Sequence, residues 1–191
     1  MLDYTLIKEE LNQRMEPKLY IHSLSAAQTA KELAAHYEFD EEQAYCAALL
    51  HDYAKAIKNE DLLQIAWEND LLSNTVENEM PHLLHAPVGA YLAQLHYNVD
   101  NPEILQAISY HTLGGLDMSI LSKIVYLADK IEPGRRHPES RQLREISYKG
   151  LDEAMLYSLE STIINCIVKK SIIHPRTIIV YNHFLRIIRN K

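Results

Sequence analysis

Apolar residues recur at every third or fourth position along almost the whole chain, which is the period of a buried helix face. Between Asp40 and Ala56 the stripe reads Ala44, Ala47, Ala48, His51 and Lys55; between Pro17 and Tyr37 it reads His22, Ala26, Thr29, Ala30 and Leu33. After Asn101 it reads Ile104, Ala107, Ile108 and His111, and after His85 it reads Val88, Tyr91, Leu92 and Leu95. The spacing predicts helices over 3–14, 17–37, 40–56, 59–69, 87–97, 102–111, 119–131, 141–148, 151–170 and 175–189. Pro17, Pro87 and Pro102 fall in first turns, where no N–H is lost. Asp40 with Gln43 resembles a capping box, Glu41 and Glu42 suit the positive helix end, and Asn101 suits an N-cap. Breaks are expected at Pro81, Gly114-Gly115, Pro133-Gly134 and Gly150. No stretch alternates with period two, and 5 Gly leave few tight turns for a sheet. Without a repeat, a low-complexity segment or a linker, residues 1–191 are expected to form one compact all-α domain.

Composition narrows the setting. The chain carries 19 Lys and Arg against 26 Asp and Glu, a net charge of −7, which argues against a DNA or RNA partner. Cys46 and Cys166 are too few for a disulfide framework or a thiolate metal module. The longest wholly apolar run, Ala44 to Leu50, is far too short to span a bilayer. Met1 to Arg14 mixes both charges and lacks the apolar core of a signal peptide. A cytoplasmic setting without a membrane partner is expected. The paired isoleucines Ile163-Ile164 and Ile187-Ile188 suit either core or a homodimer interface.

The 10 His pose the question of whether they form a site or a scattered surface. His22, His51, His85 and His111 fall on inward faces or at starts of separate helices. Asp129 follows the stripe of Leu121, Ile124, Val125 and Ala128, and Asp52 adjoins His51, about 100° further round a continuing helix. One buried neutral His is ordinary core. A buried, unpaired carboxylate costs several kcal/mol, and two of them need a counter-charge. Lys55 alone lies on these faces as a base. A divalent metal meets the need in one step, and imidazole with carboxylate suits Fe, Mn, Zn, Ni or Co.

A lone His, a later His-Asp and a distant Asp, all on helices, resemble the HD-domain metal-dependent phosphohydrolases. The segments are His22-Ser23, Leu50-His51-Asp52-Tyr53-Ala54-Lys55 and Ala128-Asp129-Lys130-Ile131-Glu132-Pro133-Gly134-Arg135. Leu84-His85-Ala86-Pro87-Val88-Gly89-Ala90, Ile108-Ser109-Tyr110-His111-Thr112 and Ile173-His174-Pro175-Arg176-Thr177 are similar to the bacterial YqeK-type branch. Leu19, where members often carry Arg, and Leu113 in Thr112-Leu113-Gly114-Gly115, where Thr-Thr-Gly is expected, depart from it.

The resemblance implies a multi-helix HD fold and hydrolysis of diadenosine tetraphosphate to two ADP. It implies iron as cofactor, held by His22, His51, Asp52 and Asp129, with manganese or another divalent transition metal as substitute. One ion is expected and a second is open: His85 and His111 either ligate it or donate to phosphate. The metal polarises a phosphoryl oxygen and acidifies a water, with Asp52 and Lys55 as catalytic groups. The polyanionic substrate calls for local positive charge in an acidic protein, from Lys55 and from the forked donors of Arg135, with Arg136 a rival. Thr112, Ile173, His174, Arg176 and Thr177 complete the expected substrate contacts, with ADP or GDP as product-like ligand. His36, His82, His96, His137 and His183 are expected at the surface or at helix ends. Two other functions fit the same residues: a phosphohydrolase of nucleoside monophosphates or guanosine alarmones, and a nucleotide-binding regulator. A purely structural helical partner would hold no metal.

Overall fold

The computed structural model describes residues 3–191. Within them lie ten α-helices and no strand. They are α1 (Tyr4–Arg14), α2 (Pro17–His36), α3 (Glu41–Leu50), α4 (Asn59–Glu68), α5 (His85–Tyr97), α6 (Pro102–Tyr110), α7 (Ile120–Ile131), α8 (Pro138–Ser147), α9 (Leu151–Lys169) and α10 (Pro175–Arg189). Short 3₁₀ turns at Tyr53–Ala56, Thr75–Asn78 and Pro81–Leu84 join them.

Small residues set the centre. Ala26, Ala27, Ala30 and Ala34 of α2 and Ala44, Ala47 and Ala48 of α3 are all buried, so two backbones approach closely where bulkier side chains would hold them apart. α7 packs on α2 and α3, α6 packs on α3, α5 and α7, and the α9–α10 hairpin closes the far side of α7. Leu49, Leu50, Ile108, Leu121, Ile124, Tyr126 and Phe184 fill the remaining volume. The Asp40 carboxylate accepts from Glu42 N and Gln43 N to start α3, and Gln43 Nε2 also donates to that carboxylate rather than completing a capping box. Asn101 caps α6, Ser119 caps α7, and Arg144 donates to the carbonyl of Ile131 at the end of α7.

The structure departs from the periodicity in three places. The helix expected over 40–56 ends at Leu50; His51 is its C-cap, and Asp52 turns the chain at φ −99°, ψ 14° into the 3₁₀ turn. Asp52 is therefore not on a continuous helix with His51, and the Lys55 side chain is 43% exposed rather than inward. α5 begins at His85, two residues before Pro87, and buries Val88, Gly89, Leu92 and Ala93 while Leu95 is 58% exposed. α8 begins at Pro138, three residues earlier than its pattern predicts, because the polar Pro138–Arg141 turn carries no apolar signal.

Candidate active site

Three of the histidines share one local device. His51 ends α3, His111 ends α6, and His85 ends the Pro81–Leu84 turn, so each stands where the preceding turn leaves carbonyls without partners. Each ring donates from Nδ1 to the carbonyl three residues back: His51 to Ala48 at 2.6 Å, His85 to His82 at 2.5 Å and His111 to Ile108 at 2.7 Å. A carbonyl can only accept, so this bond fixes the tautomer and leaves Nε2 as a bare lone pair. His22, from α2, is set by a carboxylate instead: its Nδ1 lies 3.2 Å from Oε1 of the buried Glu132.

The four Nε2 atoms converge. His22 and His51 stand 3.2 Å apart through Nε2, and His85 and His111 stand 3.1 Å apart. Asp52, fully buried, lies between the two pairs: Oδ2 is 3.3 Å from His51 and 3.6 Å from His22, while Oδ1 is 3.2 Å from His85 and 3.4 Å from His111. Asp129, from α7, places Oδ1 3.0 Å from His22 and 3.8 Å from His51. Burial pushes the Asp52 carboxyl up, but attraction to the His51 ring in its protonated form outweighs burial and holds it well below the usual carboxylate range. Burial likewise opposes Asp129, and His22 and Lys130 hold it low. Burial brings His111 down to about 4, so that ring is neutral near pH 7. For His51 burial pulls downward, yet Asp52 and Asp129 raise it above its ordinary value. Its Nδ1–H is already committed to Ala48, so a second proton would sit on Nε2 in the middle of the cluster.

This donor set fits a divalent cation. Asp52 Oδ1 is buried and accepts no hydrogen bond, an arrangement that costs several kcal/mol for a charged atom unless a cation answers it. Paired lone pairs at 3.1 and 3.2 Å repel each other for the same reason. His22, His51 and Asp129 form one group of close donor atoms; His51, Asp52 and His111 form another. The two groups admit one ion at the first and a second at the other end of Asp52. Nitrogen and carboxylate oxygen without thiolate suit Fe, Mn, Co, Ni or Zn.

The bases lie at the rim. Lys55 Nζ donates to Asp52 Oδ2 at 2.8 Å. Arg135, expected to face phosphate, donates from Nη2 to Asp129 Oδ1 at 2.8 Å and from Nε to the Asp129 carbonyl. Arg136 is exposed beside it. Sequence reasoning missed Glu132, the partner of His22, and Lys130, whose Nζ lies 3.6 Å from Asp129 Oδ2 and over the Tyr126 ring.

A cavity of about 370 Å³ adjoins the end of α6. Tyr110, the neighbour of His111, walls it with Asn74, Leu116, Asp117, His174, Arg176 and Ile179. Gly115 is required there, since a Cβ would fall 2.2 Å from the Tyr110 ring. His174 caps α10, accepting from Arg176 N at 3.1 Å through Nδ1, so its proton sits on Nε2 and faces Glu77 Oε1 at 3.4 Å. Glu77 was likewise missed: it is buried and closes a capping box with Asn74. Thr112, Ile173 and Thr177 do not line the cavity, and Thr177 is buried. Of the remaining histidines, His36, His82, His96 and His137 are exposed; His96 bonds Tyr53 and His183 packs on Phe184.

The helical core and this donor set define the class of metal-dependent helical hydrolases. The family model described as HD domain matches residues 19–134. The chain is 36% identical over 172 residues, 90% of this chain and 92% of the relative, to the symmetrical bis(5'-nucleosyl)-tetraphosphatase of Bacillus subtilis. It is 33% identical over 183 residues, 93% of this chain and 92% of the relative, to the protein of the same name from Staphylococcus aureus. A crystal structure from Clostridium acetobutylicum, of a predicted HD superfamily hydrolase involved in NAD metabolism, superposes with a TM-score of 0.94. It shares 35% identity and covers 97% of this chain and 98% of its own. The chain therefore belongs to the HD-domain family, and within it to the YqeK-type branch. Among the described residues no helix is long and apolar enough to cross a membrane.

Proposed function

We propose that this chain hydrolyses diadenosine tetraphosphate symmetrically to two ADP, as a single catalytic domain in a cytoplasmic setting. The observation that carries the proposal is the shared Asp52 carboxylate, with His22 and His51 on one oxygen and His85 and His111 on the other. The names of its relatives from Bacillus subtilis and Staphylococcus aureus support the substrate.

His22, His51, Asp52 and Asp129 would hold the first ion, and Asp52 Oδ1 with His85 and His111 either holds a second or leaves those two rings to bind phosphate. Iron is the expected metal, with manganese or another divalent transition metal able to replace it. Such an ion supplies Lewis-acid polarisation of a phosphoryl oxygen and lowers the pKa of water toward about 7. Lys55, half in solvent and 2.8 Å from Asp52, binds and orients the incoming phosphate chain. Arg135 holds Asp129 in place and presents its outer guanidinium edge to the same polyanion. The cavity beside Tyr110 takes one nucleoside: an aromatic wall and aliphatic Leu116 and Ile179 face the base, and Arg176 and the α10 N-terminus face its phosphate.

With one nucleoside in the cavity beside Tyr110, symmetrical products require attack at the central anhydride of the tetraphosphate. Water adds its oxygen to one central phosphorus, the bond from that phosphorus to the bridging oxygen breaks, and two nucleoside diphosphates leave. Purified metal-loaded protein offered diadenosine tetraphosphate, dAMP and guanosine tetraphosphate should turn over the first and give ADP as sole product. Turnover of dAMP or of the alarmone alone would overturn the assignment.

A further inference from the structure

α9 changes character halfway along. Its first half buries Ala154, Met155, Ser158 and Leu159, but no residue from Glu160 to Lys169 is buried. That second half is nonetheless apolar on one face. Ile164, Ile167 and Val168 stand at i, i+3 and i+4 and are 55%, 62% and 74% exposed. The helix then stops at Lys170, in the left-handed conformation at φ 53°, and Ile172 just beyond is also exposed. A continuous aliphatic stripe of this kind in water marks an interaction surface rather than ordinary solvent-facing helix.

The charges flanking the stripe identify what covers it. Glu160 stands one turn before Ile164, and Lys169 and Lys170 follow Val168. The stripe thus has an acid at its start and bases at its end. We propose that this half-helix is the seam of a two-fold homodimer, packed antiparallel on the same half-helix of a second copy. With the two-fold axis near Asn165, Glu160 of each copy meets Lys169 or Lys170 of the other, at both ends of the seam. A parallel pairing would set Glu160 against Glu160. The contact is self-complementary, so it closes at two copies and does not propagate into a fibre. Two molecules each carrying a net charge of −7 need such local pairing to come together. At the same end of the hairpin, Ile178 of α10 is exposed too, extending the apolar surface beyond α9.

Sedimentation equilibrium of the full chain tests this. The expected mass is twice the 22.0 kDa of one chain. Ile167→Glu, at an exposed position that the fold does not use, should abolish the dimer and leave the far-UV helix signal unchanged. Glu160→Lys should weaken association by roughly tenfold or more through like charges at both ends. Adding Lys169→Glu and Lys170→Glu to that variant should restore it. A wild-type chain that stays monomeric across the micromolar range would overturn the proposal, as would a dimer that survives Ile167→Glu. A charge swap that fails to restore association would overturn the antiparallel register.

Discussion

His22 differs from the other three histidines in what fixes its ring. His51, His85 and His111 hold their tautomers through backbone carbonyls that no side-chain substitution removes, but His22 depends on Glu132. A carboxylate behind an imidazole orients the ring and makes its free nitrogen more basic. Glu132→Ala should therefore weaken binding of a divalent cation by about 10–100-fold while the helices stay intact. Calorimetric titration of the metal-free protein with Mn²⁺ measures this, and an unchanged affinity would mean that His22 holds its ring unaided. Asp52→Ala is more severe, because one carboxylate serves both pairs of rings; turnover of diadenosine tetraphosphate should fall below detection. At this scale the sequence was legible where chemistry is dense: His51-Asp52 and Asp129 announce themselves as buried carboxylates among rings. Glu132 did not. It follows the last residue of α7, beside a Pro-Gly break, and its partner is 110 positions away, so nothing local distinguishes it from a solvated helix end.

Elements carry the donors to their places, and α3 shows how. Its start is fixed by Asp40 and its end delivers His51 and Asp52. Asp40→Ala removes the cap and should lower stability by about 1 kcal/mol, read from urea unfolding. Hydrogen bonds from Gln43 and Glu42 hold the Asp40 carboxyl below its ordinary value against a small opposing effect of burial. A carboxyl lowered by folding stabilises most above its unfolded pKa and loses that contribution as pH falls through its folded pKa. The difference between wild type and Asp40→Ala should accordingly be full at neutral pH and shrink only under acid. The helical starts were legible because Asp, Asn and Pro act locally. The end of α3 was not, since Tyr53, Ala54 and Ala56 continue an apolar, helix-compatible pattern; the 3₁₀ turn after Asp52 packs against α5, a tertiary contact that periodicity does not carry. Gly115 makes an element-scale prediction of its own. Gly115→Ala drives a methyl group into the Tyr110 ring and should displace that wall of the cavity. KM for diadenosine tetraphosphate should rise more than kcat falls; an unchanged KM would remove Tyr110 from the nucleoside pocket.

Across the whole molecule the cluster is where α2, α3, α5, α6 and α7 meet, each contributing a residue at or beside its end or on its inner face. Five elements converge on facing lone pairs and on a buried carboxylate oxygen without a hydrogen bond, donors that only the folded chain brings together for a cation. A cation that binds the folded chain and not the unfolded one stabilises it by about 2.7 kcal/mol at a hundredfold excess over Kd. For a chain of this length each kcal/mol moves Tm by roughly 2–4 °C, so removing the metal with a chelator should lower Tm by about 5–10 °C. Restoring Mn²⁺ or Fe²⁺ should recover it. Mg²⁺ should recover little, because it prefers oxygen ligands to imidazole. In Asp52→Ala the response of Tm to metal should vanish, because that carboxylate serves both pairs of rings. That response separates an ion-binding cluster from a structural one. With a structural Asp52, knitting the rings together through hydrogen bonds, chelation would leave Tm where it was.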